Sequence, residues 1–125
     1  MNPVATFRND GSSLKLQYNY TGLHMVVHQW IFGEVTLKLD RSSLFIKALK
    51  EAIASDNNTG EYPFTFVGPG NHTFQGKIRP RENAAEGYDL TVEGKDSARS
   101  YRAGIVLQSD QIAEIIGIYD GYWTN

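Results

Sequence analysis

An α+β domain built on antiparallel strands is the fold class this chain predicts, and three features lead there. Period-two alternation recurs in short segments, as where Leu14, Leu16, Tyr18 and Tyr20 interleave with Lys15, Gln17, Asn19 and Thr21. That spacing sends alternate side chains to opposite faces of a half-buried strand. The segments come in runs joined by brief polar turns, such as Thr21-Gly22 and Gly68-Pro69-Gly70-Asn71, which favours antiparallel pairing. Twice the apolar period changes to that of a helix. The expected architecture is one domain over 1–125, a largely antiparallel curved sheet of about six to eight strands, with amphipathic helices at about 41–56 and 109–120.

After the alternating strand, Leu23 to Phe32 is rich in Val, Ile, Trp and Phe and suits a second strand. Gly33 either bends it or marks a turn. Val35, Leu37 and Leu39 alternate again, as a third strand or a continuation of the second. Leu44, Phe45, Ala48, Leu49, Ala52 and Ile53 then fall on one stripe of a helix, with Lys47, Lys50 and Glu51 on the wet side. Asp40, Ser42 or Ser43 caps its start, and Asp56-Asn57-Asn58-Thr59-Gly60 ends it.

Tyr62 to Val67 reads as a strand with Pro63 near its start, where a missing N–H is tolerated. Thr73 to Arg79 is the next strand, and Pro80 to Gly87 a polar loop. Tyr88, Leu90 and Val92 alternate, Gly94 to Ser97 turns the chain, and Tyr101 to Leu107 closes the sheet. Ser109 caps a second helix, Asp110 suits its dipole, and Ile112, Ile115, Ile116 and Tyr119 form its buried stripe. No internal repeat, low-complexity tract or linker is evident.

The 125 residues are 41% hydrophobic and 21% charged, which is ordinary globular composition and enough chain for one core. A net charge of −2 gives no global field for nucleic acid or an anionic membrane. The lack of cysteine excludes disulfides, thiolate catalysis and cysteine zinc sites. MNPVATFRNDGSS lacks the basic and apolar regions of a secretory signal, and no apolar run approaches the ~20 residues of a membrane span. The expected compartment is therefore the cytoplasm, and the sequons at Asn19, Asn57 and Asn71 read as coincidence.

HMVVH at 24–28 invites a metal reading. A zincin needs H-E-x-x-H on a helix, with Glu as base; here that position is Met25, and Val26 and Val27 favour a strand. In a strand His24 and His28 share a face about 13 Å apart, too far to ligate one ion together. The expectation is two histidines on the more solvated face, with Leu23, Met25, Val27 and Ile31 inward; the opposite phase, led by Val26, Trp30 and Phe32, stays open. No cofactor and no metal are expected.

No serine elbow, phosphate loop or dinucleotide fingerprint occurs, and GPGNHTFQG leads into a strand pattern, as a hairpin turn does. The carboxylates are scattered from Glu34 to Asp120 and no catalytic pair declares itself. Arg79-Pro80-Arg81 is a compact basic step, with Lys77 beside it and Arg99 and Arg102 one hairpin away. It is either a solvated loop flanked by Glu82 and Glu86 or an anion contact. Tyr119, Tyr122 and Trp123 crowd the end of the chain, and Tyr18, Tyr20 and Trp30 form a second aromatic group. Each group either covers the sheet or offers interface anchors.

LFIKALKEAI, the alternating EYPFTFV and YDLTVEG, and the closing IVLQSDQIAEII together resemble the pattern of small bacterial immunity-type proteins and domains of unknown function, in particular the wall-associated-toxin immunity family. The resemblance spans most of residues 14–119. It implies strand runs around one amphipathic helix and a late strand feeding a C-terminal helix, and it carries over no functional residue.

The leading expectation is a small non-enzymatic binding protein of a bacterium or phage. It would act by protein–protein contact, as an immunity-type or counter-defence inhibitor of a toxin or effector does, and be monomeric or homodimeric. The alternative is a small-molecule binder, for an anionic ligand or nucleotide, in a pocket of the curved sheet. Tyr18, Tyr20, His24, His28 and Trp30 would line that pocket, and Arg79 or Arg81 would hold the anionic group.

Overall fold

The computed structural model describes residues 2–55 and 60–124, and the side chains of all of these but Asn2, Pro3 and Ala84. Alternating segments become strands wherever one face finds cover. Four come first: β1 (Asn2–Asn9), β2 (Ser12–Asn19), β3 (Gly22–Gln29) and β4 (Gly33–Lys38). Helix α1 (Leu44–Ala54) follows, then β5 (Tyr62–Val67), β6 (Thr73–Pro80), β7 (Tyr88–Lys95) and β8 (Ser100–Leu107), and finally helix α2 (Ser109–Thr124). The strands form two four-stranded antiparallel meanders, β1-β2-β3-β4 and β5-β6-β7-β8, rather than one continuous sheet. The sequence shows no repeat, yet the order of four strands and a helix occurs twice.

β1 is the strand that alternation alone does not reveal. Of the side chains described in it, Phe7 is the one that is buried. Its turn is better marked: Asp10 and Gly11 both have positive φ, 45° and 81°, the two-residue hairpin geometry that favours Asp-Gly. The run expected to reach Phe32 stops at Gln29, and β4 is a separate strand. Leu23, Met25 and Val27 point inward as expected, whereas Ile31 is exposed in the β3–β4 turn.

Ser43 caps α1, its hydroxyl accepting from Ile46 N at 3.3 Å. The buried stripe is Phe45, Ile46, Ala48, Leu49 and Ala52. Leu44 and Ile53 face solvent instead, so the stripe is rotated by part of a turn. The helix is also shorter than 41–56, and residues 56–59 of the expected stop at 56–60 lie, with the sequon at Asn57, outside the described residues. In α2 the ladder starts from the Gln108 carbonyl, bonded to Ile112 N at 3.0 Å. Gln108 therefore takes the cap position expected of Ser109, and the Gln111 side chain returns to accept from Gln108 N at 2.9 Å. The helix runs past 120 to Thr124. No helix among the described residues is long and apolar enough to cross a membrane.

The two meanders share one apolar core. β8 touches all four strands of the first sheet, so it runs across them, while α1 packs on β5, β6 and α2. The inner face of the second sheet carries a row of rings. Phe45 meets Phe64 at 5.2 Å, Phe64 meets Phe66 at 5.9 Å, Phe66 meets Phe74 at 5.7 Å and Phe74 meets Tyr101 at 5.7 Å. Glycines on the neighbouring strands make room for it. A Cβ on Gly76 would stand 2.3 Å from the Phe64 ring, and one on Gly94 2.3 Å from the Phe74 ring.

At its end, Tyr101 donates to Asp96 at 2.7 Å, and Arg99 lies 4.7 Å over the Tyr101 ring. The Asp96 carboxyl is held at about 2, down from 3.8, by the Tyr101 hydroxyl first and then by the Arg99 and Ala98 N–H groups. Because the folded value is depressed, the contribution of Asp96 is complete above 3.8 and lost as pH falls towards about 2. Melting curves of wild type and Asp96→Asn should converge over that window and differ above it. In urea titrations, Gly76→Ala should cost about 1–3 kcal/mol by overpacking. Gly117→Ala should gain about 0.5–1 kcal/mol, because nothing lies within 4 Å of the new methyl on a helical residue.

Candidate functional site

The most exposed apolar cluster is the β3–β4 turn. Trp30, Ile31 and Phe32 follow one another and are 71%, 80% and 60% exposed. Gln29 O accepts from Phe32 N at 3.1 Å, closing a β-turn in which Ile31 takes φ 76°. A positive φ at the third turn residue is the type II arrangement, which normally calls for Gly or Asn. A β-branched residue there is strained by about 1–2 kcal/mol. The turn is nevertheless braced. Trp30 N donates to Gly11 O of the neighbouring hairpin at 2.9 Å. On the other side Gly33 lies so close to the second sheet that a Cβ on it would stand 3.4 Å from Arg102 O.

Beside this tip, a polar cleft of about 420 Å³ opens where the first sheet meets the outer face of the second. Asn9, Asp10, Ser12 and Gln29 form its lip; Lys77, Arg79, Arg81, Asp89, Thr91 and Arg102 form its floor and far wall. Asn9 Nδ2 donates to Val106 O at 3.2 Å and clasps the lip to β8. Ser12, 8% exposed, is the one buried polar residue among those described. No Asp or Glu among the described residues is buried, and no group of three or more His, Asp or Glu among them is placed to hold an ion.

A second, more apolar groove of about 550 Å³ lies between α1 and β5–β7, lined by Leu44, Lys47, Ala48, Phe64 and Gly76 among others.

The residues singled out in the sequence do not converge. Tyr18, half in contact with Tyr122 at 6.5 Å, and Tyr20, 99% exposed, lie at the β2–β3 end of the first sheet. Trp30 lies at the other end, roughly 25 Å away along β3. His24 and His28 sit on the outer face of β3, paired across the ladder with Gln17 and Ser13, and His24 Nδ1 stands 3.1 Å from Gly22 O. None of these five lines either cleft, so the pocket expected from them is not assembled. Arg79 and Arg81 do line the polar cleft, and Arg81 Nε pairs with Asp89 at 3.2 Å.

The C-terminal aromatics turn inward. The buried Tyr119 donates to Asp40 O at 2.5 Å and accepts from Ser43 N at 3.2 Å. Trp123 Nε1 donates to Leu39 O at 3.1 Å, Tyr122 packs on Trp123 at 5.2 Å, and Arg41 covers the indole at 5.1 Å. They tie α2 to the β4–α1 junction, with Tyr119 buried and Tyr122 and Trp123 partly buried. Missed in the sequence were Ile31 and Phe32 as turn residues, and Ser12 and Gln29 as cleft residues. Gly33, read as a bend or turn, lies at that end of the sheet, and the Asp10-Gly11 pair is a second turn signal there that the sequence carried.

Ile31→Asn should raise stability by about 1 kcal/mol, since Asn tolerates the left-handed region; chemical unfolding checks this. The chain matches no protein-family model, and no curated protein or solved structure shows significant similarity to it.

Proposed function

We propose that this chain is a non-enzymatic binding protein that acts by occupying a partner protein's surface, in the manner of an immunity-type or counter-defence inhibitor. The Trp30-Ile31-Phe32 tip is its contact element. The single observation behind this reading is that three successive large apolar side chains are held out in solvent by a braced turn strained at Ile31.

Scattered exposed apolar residues need no explanation, but a contiguous patch does. Backbone strain kept at an exposed turn is a mark of a functional segment. Trp is also among the residues that dominate binding energy when buried at an interface. The Trp30 N–H bond to Gly11 O restrains the tip, which lowers the ordering cost at the moment of contact.

The test is native mass spectrometry on tagged protein expressed in its own host, beside the Trp30→Ser/Phe32→Ser variant. Both side chains are exposed, so the variant should melt within a few degrees of wild type. The expected result is one protein partner at fixed stoichiometry, weakened about 100-fold or more in the variant, as two hot-spot losses imply. A partner that stays bound to the variant, or wild type that carries no partner, overturns the reading.

A further inference from the structure

We propose that the polar cleft at the corner of the two sheets is a binding site for a small molecule with anionic oxygen groups spread along its length, such as a short phosphate chain. This stands on observations independent of the Trp30–Phe32 tip. Within a chain of net charge −2 the cleft gathers four cations, Lys77, Arg79, Arg81 and Arg102, against two carboxylates, Asp10 and Asp89. Two of the cations are engaged: Arg81 with Asp89 at 3.2 Å and Lys77 with Glu61 at 3.7 Å. Arg79 and Arg102 have no carboxylate within ion-pair distance among the described residues. Guanidinium forks in this state match phosphate and carboxylate oxygens.

The strand register sets the size of the ligand. Arg79 lies opposite Asp89 and Arg102 opposite Glu93. These positions on β7 are four residues apart, which is roughly 13 Å along the strand. An elongated polyanion spans the distance between the two corners, whereas a point anion would need both arginine side chains to fold toward the middle. Between the corners runs the row Lys77, Thr91 and Gly104. Over Gly104, Gln29 Oε1 and Thr91 Oγ1 lie 3.5 and 4.0 Å from where a Cβ would be. The glycine thus leaves room for an amide and a hydroxyl from two different elements to converge on the middle of the cleft. The buried Ser12 lines the same space. At about 420 Å³ the cleft falls within the ~300–1,000 Å³ typical of small-molecule sites.

Calorimetric titration of the whole chain with tripolyphosphate at low salt tests this. Arg79→Gln and Arg102→Gln are the informative variants. Lys15→Gln removes the same charge from the solvent side of β2 and serves as control. The expected result is saturable one-to-one binding, weakened about tenfold or more by either arginine substitution and unchanged by Lys15→Gln. Three results overturn it: no saturable binding, equal loss in all three variants, or inorganic phosphate binding as tightly as the triphosphate chain. Binding of a glutamate-rich peptide at the same arginines without binding of tripolyphosphate also overturns it, and assigns the cleft to a protein partner's acidic segment. All of these outcomes leave the Trp30–Phe32 test untouched, so failure of one proposal is distinguishable from failure of the other.

Discussion

Neither meander can bury its apolar face alone, and the crossing of β8 over the first sheet is what solves this for both. β8 is the edge of the second sheet, and its inward residues Ala103, Ile105 and Leu107 are buried while it touches every strand of the first. An edge strand left open would also offer unpaired backbone groups to other chains. At β8, Val106 O accepts from Asn9 Nδ2 of the first sheet at 3.2 Å. With the second sheet anchored there, α1 closes the far side over β5 and β6, and α2 locks α1 in turn. The ring row from Phe45 to Tyr101 fills the remaining space and depends on Gly76 and Gly94 staying bare.

The same crossing makes the surface features. Because β8 runs across the first sheet, the outer face of β6–β8 meets the β1–β2 turn at a corner, and a corner between two sheets leaves a cleft. Side chains that point away from the second sheet's core there border the first sheet's turns while staying exposed to water. Lys77, Arg79 and Arg102 reach the cleft for this reason, as outward residues of alternating strands. The β3–β4 turn is pushed past the corner, and its closeness to Arg102 holds it there.

This explains which parts were legible in the sequence. Strands with one wet face declare themselves by their residues, so β2, β4, β5, β6, β7 and β8 follow from the sequence, as do β3, read three residues too long, and the existence of both helices. β1 escaped because, of its described side chains, Phe7 alone is buried and the period has little to repeat. The turn at Trp30–Phe32 was read as strand because large apolar residues favour one. Only a backbone dihedral shows that Ile31 has left it. In α1 the periodicity fixed the helix, while the exact phase depended on which sheet it would meet, so Leu44 and Ile53 came out exposed. The cleft was half legible. Arg79, Arg81, Lys77 and Arg102 are near one another in the second meander, but Ser12 and Gln29 come from the first, and no local pattern encodes a contact between sheets.

The two aromatic groups looked alike in the sequence and differ in what stands behind them. At the β2–β3 end, Tyr119, Tyr122 and Trp123 have carbonyls and an arginine within reach: Asp40 O, Leu39 O and Arg41. The polar atoms of Tyr119 and Trp123 are bonded by the protein, and Tyr122 packs on Trp123, so these rings serve to hold α2 in place. At the opposite end, Trp30 bonds through its backbone N–H to Gly11 O, and Trp30, Ile31 and Phe32 stay largely exposed. Satisfying the backbone while leaving the side chains in water is the arrangement that fixes a shape without using the apolar area. An aromatic whose polar atom is bonded inward belongs to the fold. One whose main chain is anchored and whose side chain is free is available for something else to bury.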